Sequence, residues 1–284
     1  MDKYKKIFSI ILSNVSASLT NARFYVAILL VACLMNQIVY PIKMFSIQVG
    51  INVCPWIFPF LTQTFYIQMI MLLGIVFLFC DLPIINNGTI YILARTGKRV
   101  WFWAQAGYIF VMTVIYNLFV FMMSVALFFP CIKIENNWGK ILGTIAQTEL
   151  SDQLGIEIDY LLQVTYTPME AICRAFLIAI LVGVFTGVVI FVFNVYFQSI
   201  LGAVVGTIIA FTPYFAVNAN NMNAANYVSP AVWLNIMKSY QIESMSYPNA
   251  WYIFSFLIFG IIFLIILAYL KVRSKKYSYF KIVN

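Results

Sequence analysis

Residues Cys80–Trp101 read CDLPIINNGTIYILARTGKRVW. Long apolar runs flank this stretch on both sides, and it is the internal polar segment richest in cations. Asp81 and Pro83 close the run before it, because proline lacks the N–H that helix continuation needs. Asn86-Asn87-Gly88 is a turn signal. Thr89–Arg95 mixes helix formers with β-branched residues over a short length, and Gly97 supplies a residue that stops a helix. Arg95, Lys98 and Arg99 fall where cations suit a helix C-terminus. Trp101 and Trp103 mark a membrane–water interface at the start of the next apolar run. The stretch reads as a short helix held at a membrane surface, with one face offered to the cytoplasm.

The composition agrees with a membrane setting. The chain has 284 residues, 63% of them hydrophobic and 9% charged, with a mean hydropathy of +0.94. An ordinary soluble domain is about 25% charged. The fold class is therefore all-α, a polytopic membrane protein in one transmembrane domain covering residues 1–284. A net charge of +8 does not point to nucleic acid, because the cations sit at the ends of apolar runs, where orientation signals belong. Cys33, Cys54, Cys80, Cys131 and Cys173 form no CxxC and are odd in number, which favours packing roles. Cys54 and Cys131 both fall on the outer side, where pairing is the alternative.

Outward from the central stretch, residues 1–23 begin with Lys3, Lys5 and Lys6. Ile7, Ile11, Val15 and Leu19 then recur every four residues among Ser9, Ser13, Asn14, Ser16 and Thr20. That is an amphipathic helix lying on the inner leaflet, favoured over a signal peptide whose apolar core would not tolerate those polar residues. Six spans follow, at about Phe24–Ile42 (closed by Pro41), Trp56–Cys80, Trp101–Phe129, Pro168–Phe197, Ile200–Val217 and Trp251–Leu270, each read as long enough to cross roughly 30 Å of hydrocarbon. Between spans three and four, Trp138, Ile141, Leu142, Ile145, Leu150 and Leu154 keep helical spacing up to Gly155, an outer-surface helix. Glu170 and Arg174, four apart, are placed to pair. Between spans five and six, Ser229-Pro230 is an N-cap followed by proline. Val232, Trp233, Ile236, Met237 and Tyr240 then line one face of an outer or re-entrant helix. Gly183/Gly187 and Gly202/Gly206 are GxxxG-like pairs that let helices approach.

Six spans put both termini on one side. With them lie Lys3, Lys5, Lys6, Arg23, Arg95, Lys98, Arg99, Lys271, Arg273, Lys275, Lys276 and Lys281, which is 12 of 17 cations, whereas seven of the nine carboxylates fall on the other side. The basic side is read as cytoplasmic. The sequons at Asn14 and Asn87 lie on that side and should carry no glycan.

Catalytic chemistry is sparse. The chain has no histidine, which excludes HExxH zinc sites and Ser-His or Cys-His nucleophilic catalysis. Gly97-Lys98-Arg99 lacks the rest of a Walker A loop, so the chain does not hold ATP in that mode. The span centres are nearly free of charge, unlike proton- or sodium-coupled carriers. Asn117 and Asn194 are the clearest polar residues within spans. They are either interhelical hydrogen-bonding groups or candidates for lining a substrate path. Glu149, Asp152, Glu157 and Asp159 match no standard cation loop and read as a solvated acidic face, so no metal and no cofactor is expected.

The layout resembles the permease subunits of bacterial ABC-2 type ABC transporters. The likeness rests on an amphipathic N-terminal helix, six spans, a cytoplasmic segment between spans two and three, and an outer element after span five that begins at Ser229-Pro230. Its most specific part is Asp81-Leu82-Pro83 through Arg95-Thr96-Gly97-Lys98-Arg99, with Trp101 opening the third span. The resemblance implies that this segment is a coupling helix docking on a separate ATPase subunit, which binds the ATP, through Ile84, Asn86, Thr89, Tyr91, Arg95, Lys98 and Arg99. It further implies a second permease chain, identical or different, a bacterial cytoplasmic membrane, and export of an amphipathic or hydrophobic substrate such as an antimicrobial peptide, a drug or a lipid-like molecule. The three cations have other uses at that place, in orientation and in contact with membrane lipid phosphates. The long Pro130–Thr167 loop departs from compact family members. A membrane receptor or sensory subunit with an outer acidic ligand-binding loop is the alternative of another class. An ion-coupled carrier is a third option.

Overall fold

A computed structural model describes residues 3–85, 88–148, 150, 158–197, 201–218, 223–240 and 247–274. The described residues are helical throughout, apart from connections and one isolated bridge between Val53 and Ile132. In chain order the helices are α1 (Lys3–Leu19), α2 (Ala22–Val49), α3 (Phe58–Leu61), α4 (Phe65–Phe79), α5 (Thr89–Thr96) and α6 (Lys98–Ala126). They continue as α7 (Gly139–Gln147), α8 (Tyr160–Thr165), α9 (Pro168–Phe197), α10 (Leu201–Asn218), α11 (Asn223–Val228), a 3-10 turn at Val232–Leu234, α12 (Ile236–Ser239) and α13 (Ala250–Arg273).

Five of these, α2, α6, α9, α10 and α13, are long and apolar enough to cross a membrane. The all-α, multi-pass expectation holds at that level. The second expected span, Trp56–Cys80, is not one helix. Its helical part α4 has 15 residues, about 22 Å at 1.5 Å per residue, less than the hydrocarbon core. The chain breaks at Thr62–Thr64 because these polar residues offer the backbone local side-chain partners. Thr62 bonds back to the Pro59 carbonyl at 2.9 Å. The Gln68 amide returns to the carbonyls of Thr62 (2.7 Å) and Gln63 (3.4 Å), and Asn235 donates to Gln63 as well (3.4 Å). Non-helical backbone at this depth is tolerable where protein satisfies it, and Thr62, Gln63 and Gln68 are all buried.

Other boundaries shift. The first span runs through Pro41 to Val49 and stops at Gly50, whose φ of 72° needs no Cβ. Pro41 interrupts one hydrogen bond without ending a helix packed along most of its length. The third span starts at Lys98, not Trp101. Gly97, at φ 81°, ends α5 and opens α6 in a single residue.

The core is built around α9. Of its apolar window 72% is buried, against 22% for α10 and 17% for α13. Between helices in lipid, close van der Waals packing replaces the hydrophobic drive, and the glycines permit it. A Cβ at Gly183 would press on Thr113 and touch Ile75, and one at Gly187 would press on Ile109 and Phe79. One at Gly206 would press on Ile190 and Val76. The GxxxG-like pairs are thus contact points of α9 with α4 and α6, and of α10 with α9 and α4.

The end of the bundle away from Lys3 and Arg273 is capped by loops. Val53 and residues 131–133 pair by two 2.9 Å backbone bonds, the Trp56 indole donates to the Glu135 carbonyl at 2.6 Å, and Lys133 pairs with Glu135. Lys43 donates to the Phe129 carbonyl, just beyond the end of α6, at 2.6 Å. The expected outer helix between spans three and four is α7, burying Ile141, Leu142 and Ile145. It ends at Gln147, with Thr148 in an extended conformation as its C-cap, and Leu154 lies outside the described residues. Glu149, Asp152, Gly155 and Glu157 lie outside the described residues. The expected Glu170–Arg174 pair does not form. Glu170 accepts from the Thr167 N–H at the start of its own helix, and Arg174 lies over the rings of Tyr166 (4.3 Å) and Tyr240 (4.7 Å). The element after span five is not a single helix beginning at Ser229-Pro230. It is a 3-10 turn and then α12, capped by Asn235 at Met237 N (2.9 Å). Of the residues expected on one face, Val232, Trp233, Ile236 and Met237 are buried and Tyr240 is half-buried.

All five cysteines are free thiols. Cys54 and Cys131 flank the Val53–Ile132 bridge without pairing, and the Cys54 thiol stands 3.5 Å from Asn137 Oδ1.

Candidate functional site

α5 is an eight-residue helix with two unlike faces. Ile92 and Leu93 pack against the main core, and Thr89 is buried. Tyr91, 78% exposed, and Arg95 point away from the bundle. Lys98 and Arg99, just past Gly97, are exposed too. Ile84 is half-buried, and its N–H donates to Gln105 Oε1 of α6 at 3.3 Å. Tyr91, Arg95, Lys98 and Arg99 are thus all exposed, whereas Thr89 is buried and Ile84 half-buried. Asn86 lies outside the described residues.

The segment leading into α5 is clamped. Asn194, near the end of α9, donates to the carbonyls of Cys80 (3.0 Å) and Leu82 (2.7 Å) and accepts from the N–H of Gly202 (2.8 Å). One amide thus joins the end of α4, the end of α9 and the start of α10. A Cβ at Gly202 would collide with the Ile190 carbonyl and with Asn194 itself. Arg23, at the first turn of α2, forms an ion pair with Asp81. Phe79 packs edge-to-face on Tyr108, whose hydroxyl is 2.6 Å from Ser18 of α1. α2 and α9 are thus tied to residues 79–84 directly, the start of α10 through Asn194, and α1 through Tyr108 and Phe79.

Of the two asparagines considered for a substrate path, Asn194 is this clamp, with its amide fully engaged by backbone. Asn117 is 2% exposed and bonds to the Thr113 carbonyl of its own helix at 2.9 Å. Asn194 joins different elements, as the interhelical hydrogen-bonding alternative has it, whereas the bond of Asn117 to Thr113 stays within its own helix. Sequence reasoning did not foresee the roles of Arg23, Gln105 and Ser18. Asp81 was legible as a helix end but carried no sign of its partner.

α1 also differs in detail from its expected stripe. Its buried residues are Ile10, Ile11, Asn14 and Val15. Tyr4, Phe8 and Leu12 form a second, exposed apolar line. An interfacial helix has use for both, one against protein and one against acyl chains. Asn14 sits on the protein side with its Nδ2 unpartnered.

At the same pole a cavity of about 500 Å³ opens between α1, the α5–α6 junction and the end of α13. A second, of about 520 Å³, is an aromatic groove between Phe185 of α9 and Phe256, Phe259 and Phe263 of α13. Neither is lined by Asn117 or Asn194. Among the described residues no three of Cys, Asp and Glu gather as a metal site, and Asp159 is occupied in capping α8 at Leu161 N (2.9 Å). Comparison of the chain with protein-family models, with curated proteins and with solved structures returns no match.

Proposed function

We propose that this chain is the permease subunit of an ATP-driven ABC-2 type exporter, and that α5 is the helix on which a separate ATPase subunit docks. The observation that carries the proposal is the pairing of an outward face, Tyr91 and Arg95, with the Asn194 clamp behind it. A load on α5 reaches Cys80–Leu82 and from there α9 and α10, because a hydrogen-bonded buried amide has no slack to absorb displacement. The work comes from the partner's differential binding in its ATP-bound and ATP-free states; the chain itself does no bond chemistry.

In this reading the basic pole faces the cytoplasm of a bacterial cell, six passes cross the membrane with α3–α4 as the second, and both termini lie inside. Two such chains, identical or different, enclose the path. Span centres without charge suit an amphipathic or hydrophobic cargo, such as an antimicrobial peptide, a drug or a lipid-like molecule.

The test is affinity purification from the native membrane in mild detergent, with mass spectrometry of what accompanies the chain. An ATPase subunit should co-purify with the parent and be lost from a correctly inserted Tyr91→Ala/Arg95→Glu variant. Absence of any ATPase from the parent would overturn the proposal.

A further inference from the structure

The cavity at the basic pole has a composition that the docking proposal does not use. Its rim carries Lys3, Lys98, Arg99 and Arg273, contributed by α1, α6 and α13, and among the described residues its lining includes no carboxylate. Its floor is apolar, made by Ile7, Val100, Trp103, Tyr269 and Val272. Among the described residues no carboxylate pairs with Lys3, Arg99 or Arg273. Three separate elements converge cations on one opening, where like charges repel unless an anion sits among them.

The floor decides what kind of anion. Trp103 is 49% exposed, and its neighbour Phe102 packs on Tyr269 with ring centroids 5.4 Å apart, closing the seam between α6 and α13. From that seam Leu270, Ile266, Phe263 and Phe259 run outward along α13 at helical spacing, all exposed. This apolar track leads from the cations toward the middle of the membrane. An acidic protein segment would have no use for it, and a free phosphate would leave it bare. On the other flank Tyr4 and Phe8 of α1 present apolar groups at the same level, as an interfacial helix does.

We propose that this cavity is a binding site for one anionic phospholipid, its phosphate held among Lys3, Arg99 and Arg273 with Lys98 completing the rim, and one acyl chain lying along Trp103 and the outer face of α13. Cationic pockets between transmembrane helices are suited to anionic headgroups. A lipid there ties α1 to α13, the first and last described helices, which both line this opening. The site divides the basic surface: Tyr91 and Arg95 remain for a protein partner, while Arg99 and Arg273 serve the membrane.

The experiment uses the full chain, purified and reconstituted into vesicles of equal phosphatidylglycerol and phosphatidylcholine, then released in mild detergent for native mass spectrometry. The parent should retain phosphatidylglycerol over phosphatidylcholine by about thirtyfold or more, the preference that two to three near-surface cations supply. Arg99→Gln/Arg273→Gln should bring that ratio near one while the helical circular dichroism is unchanged. Trp103→Ala should weaken retention of both lipids. Glycerol 3-phosphate, which carries the anion without acyl chains, should not displace the lipid at millimolar concentration. Equal retention of the two lipids by the parent overturns the site, as does a charge-neutralised variant that keeps the preference. Displacement by glycerol 3-phosphate would assign the cavity to a soluble phosphate and overturn the lipid. Co-purification of an ATPase reports on Tyr91 and Arg95, so the two proposals fail separately.

Discussion

Asn194 and Leu82 stand 112 positions apart in the chain and are joined by a 2.7 Å hydrogen bond, the amide of one donating to the carbonyl of the other. The same amide serves Cys80 and Gly202, so a single side chain closes the junction of three helices. Asn194→Leu leaves two carbonyls and one N–H without partners in a buried place. Each such orphan costs about 1–3 kcal/mol, and the variant should unfold at lower temperature in detergent than the parent. Asn194→Asp keeps the acceptor for Gly202 and loses both donors, and should fall at or below the leucine variant. A thermal midpoint unmoved by either change would mean the amide does not hold the junction.

The glycines of α9 face helices that leave no room. Gly187→Val places branched carbons against Phe79 and Ile109, which an added Cβ would already approach within 2.9 Å. Overpacking of this kind costs about 1–3 kcal/mol. The folded, monodisperse fraction on size exclusion should drop sharply for Gly187→Val. By contrast Gly143→Ala, where a Cβ meets only the Gln163 amide at 4.0 Å, should leave it unchanged.

Cys54 and Cys131 should differ in reactivity although the bridge between Val53 and Ile132 holds them close. Cys54 is 2% exposed, and burial pushes its thiol above the ordinary range. Thiolate is the reacting form, so a membrane-impermeant maleimide should modify Cys131, which is partly exposed, well before Cys54. Added to intact cells, the reagent should reach Cys131 and not Cys80, since the two lie at opposite poles. Labelling of Cys80 from outside would reverse the proposed orientation.

The Glu135 carboxyl is held below its usual range, chiefly by the hydrogen bond from Lys133 and then by that from Asn137. A depressed carboxylate adds stability that is present above its unfolded value and lost as pH falls through its lowered folded value. The loop around Trp56, whose indole is bonded to the Glu135 carbonyl, should therefore loosen in acid below the ordinary carboxylate range and not between pH 6 and 8. Trp56 emission followed against pH, in a chain lacking the other five tryptophans, should show that acid transition. Glu135→Gln should remove it. The pair is solvent-exposed, so the effect is local and screened by salt.

Much of the architecture could be read from the chain because apolar length is a direct signature of a span. The run from Pro168 to Phe197 was delimited to the residue, and the glycine pairs were placed on contact faces. The second span misled for the same reason. WIFPFLTQTFYIQ is apolar enough to pass as continuous, and only the side-chain bonds of Thr62 and Gln68 to nearby carbonyls reveal the break. Arg23 and Asp81 are 58 residues apart; each is an unremarkable end-of-helix charge until the fold brings them together. Asn194 announced itself as a polar residue in an apolar helix, but its partners are carbonyls, which every residue carries. Side chain-to-backbone ties leave no complementary residue type in the sequence, so this pole was legible in its charges and not in its joints.

Helix length also varies through the bundle. α9 has 30 residues, α13 has 24 and α10 has 18, about 45, 36 and 27 Å at 1.5 Å per residue. The longest is the one most enclosed by protein. Neighbours enclose it along its middle, whereas α10 and α13 leave most of their apolar windows open to the surroundings. Changes in bilayer thickness, which membranes meet by altering helix tilt, act on α10 and α13 while α9 keeps its inclination. The lipid thus exerts leverage on the periphery alone, and thicker or thinner membranes will reorient these two helices about a fixed central column.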